Sequence, residues 1–176
     1  MGSWTIWHVL GFMAIAAFAI WRANAQPDRH QLSGYGGWLI VYSVFAIFWA
    51  AQELAEYYRI RSDIEILVPS ALENQAYRHY SNIIHVLSWL EAGVLVVCAL
   101  LPAMKNKRSL LIKLACLGLW VAGPIAAFAE FVLAEIYVGD FLLEEDYSTI
   151  GATLLFTTLW TWYFMTSFRV RNTYKA

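Results

Sequence analysis

Five long stretches nearly empty of charge constrain this chain more than any other feature. Residues 3–21, 36–52 and 147–168 contain no Asp, Glu, Lys or Arg. Residues 83–104 hold one acid, Glu91, and residues 109–137 hold only Lys113 near their start and Glu130 and Glu135 near their end. Crossing a bilayer core takes roughly 20 apolar residues as a helix. The expectation is therefore an all-α integral membrane protein with five transmembrane helices in a bundle. Composition supports this, with 60% hydrophobic and 14% charged residues. Soluble domains run near ~25% charged and cannot hide so much apolar surface. A soluble enzyme, a disordered tail and a disulfide scaffold are thereby excluded. A net charge of −1 leaves no basic field, so no nucleic-acid partner is expected.

The first stretch has a rival explanation. Ala23-Asn24-Ala25 resembles a signal-peptidase site after an apolar run. Residues 1–3 carry no positive charge and the run is long for a signal core, so a true span is the preferred assignment. Basic residues then set the orientation. With the N-terminus outside, the inner segments hold Arg22 and Arg29; Lys105, Lys107, Arg108 and Lys113; and Arg169, Arg171 and Lys175. The outer loops hold only Arg59, Arg61 and Arg78, while Asp140, Glu144, Glu145 and Asp146 crowd another outer loop. This asymmetry predicts N-out, C-in and suits a bacterial inner (cytoplasmic) membrane, crossed several times.

The outer loop over residues 58–81 is too short for a separate domain. Pro69-Ser70-Ala71-Leu72-Glu73 has the spacing of a capping box, with Ser70 as cap and Glu73 reaching back. A short outer helix before the third span is predicted there. In the fourth span, Pro124 after Gly123 removes a backbone donor and predicts a kink.

Carboxyls inside a membrane helix carry the functional signal, because an acid at the bilayer centre costs roughly 2.5–3.5 kcal/mol on insertion scales. At about 100° per residue, Tyr42, Trp49, Glu53 and Glu56 share one face of the second span, and Ser81, His85, Ser88 and Glu91 form a broader stripe on the third. Glu130 and Glu135 point to different faces of the fourth. The candidate site is an acidic pocket open to the outside, lined by Glu53, Glu56, His85, Glu91 and one fourth-span acid, Glu130 or Glu135. It would hold a cation, a protonatable amine or a transition metal. The alternative is that Glu53, Glu56 and Glu135 reach headgroup water and pair with Arg59, Arg61 or Arg78. Glu91 should face the bundle interior, with His85 as its first candidate partner. Thr153, Thr157 and Thr161 step by four up the last span and are expected to pack helices or bond their own backbone.

No catalytic or metal-binding motif is present. His8 and His85 lack the context of haem ligands, and Cys98 and Cys116 form no redox motif, so no cofactor is expected.

Two ends of the chain carry a resemblance. Leu32-Ser33-Gly34-Tyr35-Gly36-Gly37-Trp38-Leu39 resembles the Gly-Gly-Trp-Leu opening of a bacterial membrane family, and Ser167-Phe168-Arg169-Val170-Arg171-Asn172-Thr173-Tyr174 resembles its closing motif. The family is catalogued as domain-of-unknown-function family 2569. The resemblance implies a four-helix inner-membrane domain over residues 32–176, with residues 1–31 as an added transmembrane helix and inner linker. Phe168 stands where the family has a base, and Tyr174 where it has Phe. The family supplies topology and no activity. Arg169 and Arg171 are expected to anchor the last span at headgroup level, and Gly36 and Gly37 to permit close backbone approach.

Three functions remain. The first is a non-catalytic interaction or accessory protein, whose partners would be the lipid bilayer and another membrane protein or a second copy of itself. The second is a small transporter or cation- or amine-binding protein using the acidic pocket. The third is a membrane-embedded enzyme or cofactor-binding protein.

Overall fold

The computed structural model describes residues 14, 18, 21, 32–105, 108–139 and 148–174. Of the first candidate span only Ala14, Phe18 and Trp21 fall among these, each in helical conformation. The rest of that span, His8, and the acids Asp140, Glu144, Glu145 and Asp146 lie outside the described residues.

Those residues form helices and no strand. Helix α1 is Trp38–Leu67, α2 is Gln75–Leu100, α3 is Ser109–Trp120, α4 is Ala126–Tyr137, α5 is Ser148–Thr166 and α6 is Phe168–Thr173. Three helical segments are long and apolar enough to cross a membrane: Trp38–Leu67, Gln75–Ala103 and Ser109–Tyr137. α5 has 19 residues and no charge, but is rich in Thr.

α1 outruns the expected span. Its 30 residues extend about 45 Å, against a hydrocarbon core of about 30 Å. The extra length is a charged end where Arg59 pairs with Glu56 and, at 3.0 Å, with Asp63, and Arg61 pairs with Glu65 at 3.1 Å. These i,i+3 and i,i+4 pairs let the helix continue where the apolar run stops.

The turn to α2 differs from the capping-box expectation. Pro69–Glu73 is a 3-10 helix without a side-chain cap, so Ser70 does not cap it. The chain then extends at Asn74, whose Oδ1 accepts from the Ala76 N–H at 2.8 Å and starts α2. Arg78 secures the turn by donating to the carbonyls of Leu72 and Glu73.

α1 and α2 pack as an antiparallel hairpin. At its far end Pro102, buried in a 3-10 turn, has no N–H for the Cys98 carbonyl four residues back. Tyr42 of α1 donates to that carbonyl at 3.3 Å, and Ser43 donates to the Ala99 carbonyl at 2.6 Å. Tyr174 donates to the Pro102 carbonyl. Burial raises the pKa of the Tyr174 phenol, which keeps its proton available for that bond. Between α1 and α5 an aromatic core fills in, with Tyr42 against Phe164 at 4.8 Å and Phe45 stacked on Phe156 at 5.0 Å.

The third apolar segment is interrupted at the predicted place. Around Pro124 the helix widens into a π-turn, Val121–Ile125, between α3 and α4. There Gly123 meets α1 and α5 so closely that a Cβ would sit 3.0 Å from both Thr157 Oγ1 and the Trp49 ring. One turn earlier, Trp120 Nε1 donates to Thr161 Oγ1 at 3.2 Å. Thr153 bonds its own backbone, at the Ile150 carbonyl.

The two motif-bearing ends meet. Gly34 N–H donates to Thr173 Oγ1 at 2.7 Å, Asn172 Nδ2 to the Leu32 carbonyl at 3.2 Å, and Arg169 Nη1 to the Ser33 carbonyl at 3.3 Å. Gly36 leaves room for that guanidinium, since a Cβ would lie 3.0 Å from Arg169 Nη1. Gly37 starts α1 with φ 56°, a conformation costly for other residues. Arg169 is thus not a headgroup anchor. It is 7% exposed, because the backbone around Ser33 and Gly34 offers acceptors that draw it inward. Arg171 is exposed.

Candidate functional site

The ends of α1 and α2 nearest their connecting turn and the end of α4 enclose a cleft of about 140 Å³. A cavity of that size in a designed apolar core takes one benzene-sized molecule. Glu53 and Glu56 reach it from α1 and Glu130 from α4, while Tyr57, Tyr77, Tyr80, Ser81 and Ser88 supply rings and hydroxyls. Three successive turns of α2 provide Tyr77, Tyr80, Ser81, Ile84 and Ser88, because residues three and four apart share a helix face. Tyr57 and Tyr77 are 8% and 7% exposed, so two of the walls are fixed by packing.

The acids differ in how they are satisfied. Glu56 pairs with Arg59, an exposed surface pair. Glu53 accepts from Trp49 Nε1 at 2.7 Å. Among the described residues no ion pair reaches Glu53, Glu91 or Glu130, because the nearby bases are committed elsewhere. Arg59 is held by Glu56 and Asp63, Arg61 by Glu65 and the Tyr57 hydroxyl, and Arg78 by backbone carbonyls. Arg61 does stand at the cleft's wall. Glu135 is exposed and takes no part, so Glu130 is the fourth-span acid that turns inward.

Glu91 is 5% exposed, as expected for an acid facing the bundle. It does not line the cleft. It lies one turn beyond Ser88, buried on the same face, within electrostatic reach of Glu130 and Glu53. Its Oε1 has no hydrogen-bond partner, and neither has the buried Nδ1 of His85. The expected Glu91–His85 pair is therefore absent. The His85 ring turns instead to Tyr57, with centroids 5.3 Å apart. Six residues put His85 and Glu91 about 600° apart around the helix, 120° from alignment, which is too far for one to reach the other. The site that forms is Glu53, Glu56 and Glu130 in the cleft with Glu91 behind them, and His85 to one side.

A third buried group without a partner is Thr157 Oγ1, fully buried against the π-turn at Gly123. No group of three or more His, Cys, Asp or Glu among the described residues could hold a metal ion. Cys98 and Cys116 are free thiols away from the cleft.

The tyrosines are what inspection of charge alone overlooks. Their signal was available in the i, i+3, i+7 recurrence of Tyr77, Tyr80 and Ile84 with Ser81 and Ser88, at the place where the third span leaves its apolar run. No family model, no curated protein and no solved structure matches the chain.

Proposed function

We propose that this chain is a multi-pass membrane protein that binds a positively charged ligand in the cleft between α1, α2 and α4. One observation carries the proposal: Glu53, Glu91 and Glu130 gather inside the bundle with no base among the described residues paired to any of them. Buried like charges without a counter-ion are costly, and a bound cation removes that cost. With the N-terminus outside, the cleft opens to the outer face of a bacterial inner membrane, and residues 1–31 add a fifth span. In this proposal residues 32–176 are a four-helix domain akin to domain-of-unknown-function family 2569, and the meeting of Gly36 with Arg169 and of Gly34 with Thr173 gives its two motifs a shared structural reason.

The test is thermal unfolding of the purified protein in detergent with a panel of simple cations: sodium, magnesium, methylammonium and benzylammonium. A ligand at a hundred times its Kd stabilises the folded state by about 2.7 kcal/mol. At least one cation should raise the melting temperature in a saturable way, and Glu130→Gln should abolish the effect. A flat response across the whole panel would reject a cation site.

A second reading, an interaction or accessory protein that docks another membrane protein or a second copy, draws on the exposed tip of the α1–α2 hairpin. Ile66 and Leu67 are 73% and 75% exposed there, beside Val68 and Leu72. Cross-linking through Leu67→Cys in native membranes tests it, with a discrete cross-linked species as the supporting result and monomer alone as the opposing one.

A further inference from the structure

From the walls of the cleft we infer that the ligand is an organic ammonium bearing an aromatic or similarly bulky apolar group, and that a bare metal ion is not the occupant. The inference rests on the cation-binding reading above and narrows its ligand class. Three features of the cleft lead to it.

The first is the kind of surface. Tyr57, Tyr77 and Tyr80 bring three phenol rings to one small space, and Ile60, Ile64 and Ile84 bring branched aliphatic groups. A hard cation needs several oxygen ligands closing on one point. Here the oxygens are spread over α1, α2 and α4, and no metal-holding group of three acids, thiols or imidazoles forms among the described residues. An ammonium needs less. One carboxylate takes its charge, and ring faces within about 6 Å add a cation–π attraction that also suits an alkylated nitrogen.

The second is size. About 140 Å³ is far more than a naked ion fills, and is close to the volume that takes a benzene-sized molecule. A small metal ion there would leave the apolar walls in contact with water, whereas a ring on the ammonium would cover them.

The third is the arrangement of charge along the cleft. Glu56 and Arg61 stand at the outer part, each occupied by a surface partner on α1. Further in, Glu53 and Glu130 have no base among the described residues, and Glu91, buried with an unpartnered Oε1, lies one turn past Ser88. An ammonium entering past the tyrosines would meet carboxyls that no base among the described residues pairs with. Its apolar group would remain among Tyr57, Tyr77, Tyr80 and Ile84. Glu91 lies outside the cleft's lining and does not touch the ligand.

The experiment uses the full chain in detergent with four probes at equal ionic strength: benzylammonium, its neutral isostere benzyl alcohol, methylammonium and magnesium. Melting temperature and tryptophan fluorescence report binding. Benzylammonium should bind saturably, with benzyl alcohol and magnesium without effect and methylammonium about tenfold or more weaker. Tyr80→Leu should weaken benzylammonium about tenfold, and Tyr80→Phe, which keeps the ring, should restore it. Tyr80→Phe also guards against a fold defect, because both variants must show the wild-type fluorescence spectrum and a single cooperative transition. If magnesium or methylammonium stabilises as strongly as benzylammonium, or if Tyr80→Leu binds benzylammonium as wild type does, the ligand class is wrong while the cation site stands. If no charged probe binds, the cation site itself is wrong. If benzyl alcohol matches benzylammonium, charge plays no part and both fail.

Discussion

Tyr42, Ser43 and Tyr174 take up the carbonyls of Cys98, Ala99 and Pro102 at one end of the α1–α2 pair, whereas toward the other end Glu91 Oε1 and His85 Nδ1 are buried with nothing to bond. Both regions bury polar atoms in a largely apolar bundle. In the first, each polar side chain answers a defect of the backbone: a proline without an N–H, a helix end, a 3-10 turn. In the second, the polar atoms answer no backbone defect. An unmet buried polar group costs about 1–3 kcal/mol, and a chain that keeps several such groups in one place points to something outside itself. The contrast separates polar residues that hold this fold from those available to a ligand.

The largest effect should come from breaking the satisfied end. Arg169→Leu removes the donor to Ser33 and Gly34 and leaves their carbonyls facing a buried apolar group. A loss of about 3 kcal/mol is expected, read as a fall in melting temperature, with Arg171→Leu at an exposed site as the control near zero. Equal effects from the two variants would remove the distinction between a buried clasp and a surface charge.

Gly123→Leu attacks the junction between the two regions. A Cβ alone would stand 3.0 Å from Thr157 Oγ1 and from the Trp49 ring, so a larger group must displace α5 or α1. Overpacking of this kind costs about 1–3 kcal/mol. Because Trp49 holds Glu53, the same substitution should also weaken the ligand response, which Gly151→Leu, in open space on α5, should not do.

How much of this was legible beforehand depends on range. The apolar runs announced α1, α2 and the α3–α4 segment because a membrane helix is a local property of some twenty residues. Pro124 announced its own disruption, although not that the helix would widen into a π-turn there. The inward face of Glu91 followed from the cost of a carboxyl in lipid. The clasp was hidden, since Gly34 and Thr173 are 139 residues apart and nothing in either segment names the other. Arg169 looked like a headgroup anchor because it follows the last charge-free run, while its burial is decided by a backbone far along the chain. The same holds for the cleft: Glu53 and Glu130 come together only through the packing of α1, α2 and α4.

Glu91→Met sharpens the comparison by reversing its sign. Where Arg169→Leu destabilises, this change replaces a buried carboxyl whose Oε1 has no partner with a side chain of similar volume and no polar oxygen. Such replacements are commonly neutral or stabilising, and a gain of about 1 kcal/mol is expected. The ligand response should fall at the same time. A variant that is more stable yet less responsive would identify Glu91 as retained for binding, and one that unfolds readily would show that the carboxyl holds the bundle together.

The smallest expected effect lies at the hairpin tip, where one polar group is satisfied amid exposed apolar residues. Asn74 Oδ1 accepts from Ala76 N–H and begins α2, whereas Ser70 makes no cap although the sequence spacing favours it. The physical reason is Pro69, which opens a 3-10 turn closed by Asn74 N–H donating to the Ala71 carbonyl at 3.1 Å. That turn ends before a first α-helical turn can form over Ala71, and the orphan N–H groups that need a cap begin after Asn74 instead. Asn74→Ala should therefore cost about 1 kcal/mol, and Ser70→Ala less than about 0.5 kcal/mol. Both residues are exposed, so neither change alters packing, and the difference reads the cap alone. Hydrogen exchange at Ala76 and Tyr77 gives the local measure: faster in Asn74→Ala, unchanged in Ser70→Ala. Because Tyr77 walls the cleft, fraying of this first turn should also loosen the grip on benzylammonium by a small factor, linking a satisfied polar group of the tip to the unsatisfied ones below it.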